Sequence, residues 1–133
     1  MSPIVVDASV ILSSLFPDER SPRADAILVQ VQDNEGLVPG HWWLEIRNGL
    51  LMGERRGRAS SSQTAEFLTS LSDLQISIAL LPDEIAVFDL ARRYRLSFYD
   101  AAYLELAKCE GLTLATFDHD LIAAAKAERV PLA

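Results

Sequence analysis

Pro3-Ile4-Val5-Val6-Asp7-Ala8-Ser9 is a short β-branched apolar run that stops on a carboxylate. A run without polar alternation reads as a strand buried on both faces, and an aspartate at its end reads as the entry to a helix. The same reading holds at Leu112-Thr113-Leu114-Ala115-Thr116-Phe117-Asp118. Between these two stretches the periodicity predicts helices over 8–15, 22–32, 42–53, 60–71, 84–94 and 97–110. It also predicts short strands over 37–39 and 75–81, then a last helix over 118–128 and an edge strand over 130–132. Ser21-Pro22 supplies an N-cap followed by proline at the first helical position. Strands that alternate with helices specify an α/β fold with a parallel sheet and right-handed crossovers. In such sheets the working site lies beyond the carboxyl ends of the strands.

With 133 residues, half of them hydrophobic, the chain is expected to form one domain over 1–133. A lone cysteine, Cys109, excludes an internal disulfide framework and a cysteine-rich zinc site. No apolar run approaches the roughly 18 residues of a membrane span, and the first residues lack a basic signal-peptide region. The expected location is the cytoplasm. Nineteen acids against twelve lysines and arginines give a net charge of −7, unlike a general nucleic-acid binder. Six of the bases cluster as Arg55, Arg56 and Arg58, then Arg92, Arg93 and Arg95. Closing two helices against their dipoles explains both clusters; holding a phosphate backbone locally is the alternative.

The acids carry the chemistry. Asp7 and Asp118 occupy equivalent strand-end positions, although N-capping alone would account for each. Asp120 fits a first-turn acid. Ser97-Phe98-Tyr99-Asp100 has capping-box spacing, with Asp100 reaching back to the Ser97 backbone. Glu45 resists such an account, because its helix is apolar around most of its circumference. Asn48 lies one turn on, whereas Arg47 points about 200° away. A carboxylate on a buried helix needs a partner. Four acids in one crevice would repel unless a cation compensated them, and oxygen-only ligands favour Mg²⁺ or Mn²⁺ over zinc. No nucleophile elbow and no glycine-rich phosphate loop is present. Metal-assisted phosphodiester hydrolysis is the chemistry that remains.

Taken in order, Ile4-Val5-Val6-Asp7-Ala8-Ser9, Glu45-Ile46-Arg47-Asn48, Asp100-Ala101-Ala102-Tyr103-Leu104-Glu105-Leu106-Ala107 and Leu114-Ala115-Thr116-Phe117-Asp118 resemble the four signatures of the PIN-domain family. Size and spacing resemble the toxin subunits of VapBC toxin–antitoxin modules. The resemblance implies a PIN-like three-layer sandwich, a short central parallel sheet flanked by helices. It implies an endoribonuclease that leaves a 5′-phosphate and a 3′-hydroxyl, with Asp7, Glu45, Asp100 and Asp118 as catalytic acids holding Mg²⁺, or Mn²⁺ in its place. Asn48 would orient Glu45, Ser9 and Thr116 would support the site, and Asp120 would act through water. It further implies an RNA substrate, a VapB-type antitoxin and a homodimer. The two arginine clusters become the candidates for backbone contacts with RNA. Gly40-His41-Trp42-Trp43 is bulkier than the family usually carries there.

Alternatives are a catalytically idle PIN-fold binding module, or a solitary RNA-processing or DNA nuclease on the same site. Asp7 is followed by Ala8-Ser9, so the D-x-D of aspartate-nucleophile phosphatases is missing. Of Trp42 and Trp43, one is expected in the core and the other half-exposed. Phe98 and Tyr99 are expected to anchor a helix start, Tyr103 to pack, and Cys109 to fill a small apolar space.

Overall fold

Ile4–Val6 forms β1, and all three of its residues are buried. On one side β1 pairs with β2 (Gly36–Val38), on the other with β4 (Thr113–Ala115), and β3 (Ile76–Ile78) lies beyond β2 at the edge. All pairings are parallel, with Val5 opposite both Leu37 and Leu114. This computed structural model describes residues 2–133.

Among the described residues seven α-helices connect and flank the strands: α1 (Ala8–Leu12), α2 (Pro22–Asn34), α3 (His41–Arg55), α4 (Ser61–Ser72), α5 (Glu84–Tyr94), α6 (Phe98–Glu110) and α7 (His119–Ala127). The chain steps from β1 to β2 to β3 through α1–α4, then returns across the sheet to β4 through α5 and α6. Right-handed crossovers place these two groups of helices on opposite faces. Both α2 and α6 pack against β1, which makes β1 the middle of a three-layer α/β sandwich. Every residue of α6 from Ala101 to Ala107 is buried.

Local signals set most helix starts. The hydroxyl of Ser21 accepts from the Ala24 amide, Ser60 and Gln63 form a reciprocal capping box, and Asp83 caps α5. Gly111 takes the left-handed conformation that closes α6 (φ 67°). On α3, Gly53 lets the chain approach Phe16 closely, since a Cβ there would stand 2.7 Å from the ring.

The largest departures from the expected boundaries are at α1, β3 and the C-terminal edge, while α2, α3 and β2 shift by one or two residues. Helix α1 stops at Leu12 rather than residue 15, where the Ser13 and Ser14 hydroxyls donate back to the carbonyls of Val10 and Ile11. The strand expected over 75–81 shortens to three residues, because the β2 ladder that it joins is only three residues long. The edge strand expected over 130–132 reduces to one bridge between Leu114 and Leu132.

Candidate active site

Asp7 follows the last residue of β1, and its amide extends the ladder by donating to the Ala115 carbonyl at 2.9 Å. Its side chain caps α1, as an N-cap aspartate should. It also does more: Oδ2 accepts from the hydroxyls of Ser9 at 3.1 Å and of Thr116 at 2.9 Å. Thr116 is fully buried and in turn accepts from the Asp118 amide at 3.1 Å. That amide leaves the Thr116 proton to Asp7, so one hydroxyl ties the ends of β1 and β4 together. Asp118 caps α7 by accepting from the Leu121 amide.

Glu45 projects from α3, which follows β2. The burial on several sides expected of this helix is not found: α3 buries one face (Trp42, Ile46, Leu50 and Gly53) and exposes Trp43, Leu44 and Leu51. Glu45 is part-buried and its partner is Tyr103, whose hydroxyl donates to Oε1 at 2.6 Å. His41, one turn earlier on α3, brings Nε2 to 3.5 Å from the same oxygen. The expected capping box at Ser97 forms by half. The Ser97 hydroxyl accepts from the Asp100 amide, while the Asp100 carboxyl lines the crevice.

Asp7, Glu45, Asp100 and Asp118 therefore surround one open crevice of about 380 Å³, floored by Ala8 and Leu12 and bordered by Ser9, Asn48 and Gly49. It lies beyond the carboxyl ends of β1 and β4, where the chain departs in opposite directions. Burial first, and then the neighbouring charges of Asp7, Asp118 and Glu45, together raise the Asp100 pKa to about 6.

Carboxylates together with the Asn48 amide form an all-oxygen donor set suited to Mg²⁺ or Mn²⁺. Among the described residues no three His, Cys, Asp or Glu side chains stand as a ready-made chelate. Mg²⁺ does not require one, since it keeps several waters and is commonly held by one or two carboxylates. The residues fit such an ion, and the pressure of like charge on Asp100 is what a cation would relieve.

Other expected site residues lie differently. Asn48 lines the crevice, but the hydrogen bond that orients Glu45 comes from Tyr103. Asp120 is exposed and outside the crevice lining, as are all six clustered arginines. Arg58 pairs with Asp18 and Glu19 and covers the Phe16 ring. Arg93 pairs with Asp89 and Glu128, and Arg92 lies over Phe88. Arg55, Arg56 and Arg95 sit at helix ends and make no ion pair among the described residues.

Trp42 is buried and Trp43 half-exposed under the stacked Arg47 guanidinium. Tyr99 is 62% exposed beside His41 instead of anchoring the helix start. Cys109 is exposed rather than filling an apolar space. Sequence reasoning missed His41 and the polar role of Tyr103. The available signal was Tyr103 standing one turn after Asp100 on the same helix.

Comparison with known proteins agrees with the fold. The PIN domain family profile matches residues 4–127. Ribonuclease VapC3 of Pyrobaculum aerophilum is 34% identical over 126 residues, covering 89% of this chain and 91% of that protein. Two crystal structures share the fold. PAE2754 from Pyrobaculum aerophilum aligns with TM-score 0.72 and 23% identity over 92% of this chain and 84% of that one. FitAcB from Neisseria gonorrhoeae aligns with TM-score 0.66 and 20% identity over 97% of this chain and 95% of that one.

Proposed function

The chain belongs to the PIN-domain family, and on that premise we propose that it is a metal-dependent endoribonuclease, the toxin of a type II toxin–antitoxin pair. One observation carries the reading: four acids from separate parts of the chain meet at the carboxyl ends of β1 and β4, where burial together with their mutual repulsion holds Asp100 near pKa 6. Asp7, Glu45, Asp100 and Asp118 would hold Mg²⁺ or Mn²⁺, which supplies an activated water and offsets charge on the phosphoryl group. Asp7 is kept in place by Ser9 and Thr116, and Glu45 by Tyr103. The open crevice admits a phosphodiester backbone, and its negative wall disfavours an anionic substrate when no cation is bound. The likeness to Ribonuclease VapC3 supports RNA as the substrate and a VapB-type antitoxin as the partner. Among the described residues no helix is long and apolar enough to cross a membrane. The cytoplasm is the location that goes with this reading.

Cleavage of a mixed RNA pool tests the proposal. Cutting is expected with Mg²⁺ or Mn²⁺, should stop in EDTA, and should return when excess metal is restored. Cutting that persists in EDTA would refute metal dependence.

We propose the homodimer as well, on a separate observation. Leu80, Leu81 and Ile85 are 93%, 96% and 80% exposed on the turn into α5, with Phe88 one turn further along. Large apolar side chains gathered at one surface mark an association site. Light scattering is expected to give a dimer mass for the unmodified protein and a monomer mass for the double variant Leu81→Glu, Ile85→Glu. A dimer that survives both charges would place the contact elsewhere.

A further inference from the structure

Tyr103 is fully buried, yet its hydroxyl touches two elements remote from it in sequence. The oxygen accepts from the Ala8 amide at 3.4 Å and donates to Glu45 Oε1 at 2.6 Å. A phenol has one proton. With the amide on one side and a carboxylate on the other, that proton points at Glu45. The Ala8 amide belongs to the first turn of α1, which has no intrahelical acceptor, and it immediately follows Asp7. Tyr103 itself stands one turn along α6 from Asp100. A single hydroxyl thus joins the three elements that carry Asp7, Glu45 and Asp100.

The geometry at Glu45 is asymmetric. The Tyr103 hydroxyl and the nearest His41 nitrogen both converge on Oε1, while Oε2 accepts no hydrogen bond from the described residues. The His41 ring meets the Tyr103 ring edge-on, with centroids 5.0 Å apart.

We propose that Tyr103 is a positioning residue that acts through Glu45: it ties back Oε1, presents Oε2 to a divalent cation, and sets the spacing of Asp7, Glu45 and Asp100. The inference rests on the metallonuclease reading and deepens it. Groups that orient a metal ligand without touching the ion typically contribute about 10–100-fold to metal affinity.

Mn²⁺ binding by the EDTA-stripped protein, followed by calorimetry and by the electron paramagnetic resonance of free Mn²⁺, provides a readout independent of turnover. Tyr103→Phe keeps the ring and removes only the hydroxyl. It is expected to weaken Mn²⁺ binding by about 10-fold or more, with the metal-free melting temperature shifting by no more than about 4 °C. Tyr99→Phe, on the exposed neighbour, should bind like the unmodified chain. In a Glu45→Ala background, Tyr103→Phe should alter affinity by less than about 2-fold, because the carboxylate through which it acts is gone.

Unchanged Mn²⁺ affinity in Tyr103→Phe, while the unmodified protein binds, overturns this inference and leaves the nuclease reading standing. An undiminished effect in the Glu45→Ala background also overturns it, since the hydroxyl would then act by general packing. No Mn²⁺ binding by the unmodified protein overturns both.

Discussion

Asp100→Asn is expected to abolish metal-dependent RNA cleavage and to make the metal-free protein more stable at neutral pH. The loss of activity should be roughly 10³-fold in kcat/KM, the scale seen when one charge-stabilising group is removed from a site. The gain in stability follows from the raised pKa. An ordinary aspartate titrates near 3.8, whereas Asp100 in the fold titrates near 6. Between those values the folded chain holds a proton that the unfolded chain has released, so stability falls as pH rises through the window. Above pH 6 the full penalty is present, and below about pH 4 it is absent. Because the carboxyl is only partly buried, solvent screening reduces the penalty to about 1 kcal/mol.

Asparagine keeps the shape, and the backbone amide keeps its bond to Ser97. Removing the charge should therefore raise the melting temperature in EDTA by about 3–5 °C at pH 7.5 and leave it unchanged at pH 4. Thermal melts of the two proteins at both pH values check this. An equal gain at pH 4 would show that charge is not the cause. A site that is destabilised without its cation and disabled by the stabilising substitution is what a trade-off between function and stability looks like at one residue.

Glu128→Ala should have the opposite character: a large loss of stability with the cleavage site intact. Glu128 closes α7, and its carboxylate is nearly buried. It receives Lys108 at 2.5 Å from α6, Arg93 at 3.0 Å from α5, and the Tyr94 hydroxyl. Those donors, led by Lys108, hold its pKa down to about 2 against an ordinary 4.5. Here the unfolded chain takes up the proton first. The stabilisation is complete above about pH 4.5 and is lost as pH falls toward 2. Breaking a buried ion pair commonly costs 3–5 kcal/mol. Lys108 and Arg93 are about half exposed and regain water, so about 2–3 kcal/mol is expected here. Urea unfolding at pH 7 and at pH 2.5 separates the causes. A deficit that shrinks at pH 2.5 identifies the ionic hub, whereas a constant deficit would assign it to lost packing. None of the residues in this hub lines the crevice, so cleavage per folded molecule should be unaffected.

The chain by itself determined the α/β alternation, the strand-end positions of Asp7 and Asp118, and nearly every helix cap. These are local facts. Burial on both faces of a strand is written in an unbroken apolar run, and a cap needs only a hydroxyl or carboxylate within three residues of a free amide. The apolar residues around Glu45 pointed to a partner, although α3 buries only one face and leaves Trp43, Leu44 and Leu51 exposed. Which partner, only the tertiary structure decided. Tyr103 lies 58 residues from Glu45 and 95 from Ala8, and no periodicity connects positions so far apart. The same holds for the basic charge. Arg58 meets Asp18 and Glu19 some 40 residues away, and Arg93 meets Glu128 at 35, so two of the six clustered arginines are committed to ion pairs. The exposure of Leu80 and Leu81 also became visible only when β3 proved to be a three-residue edge strand. Residue type and spacing set what each side chain can do, whereas packing sets what it meets, and the crevice depends on both.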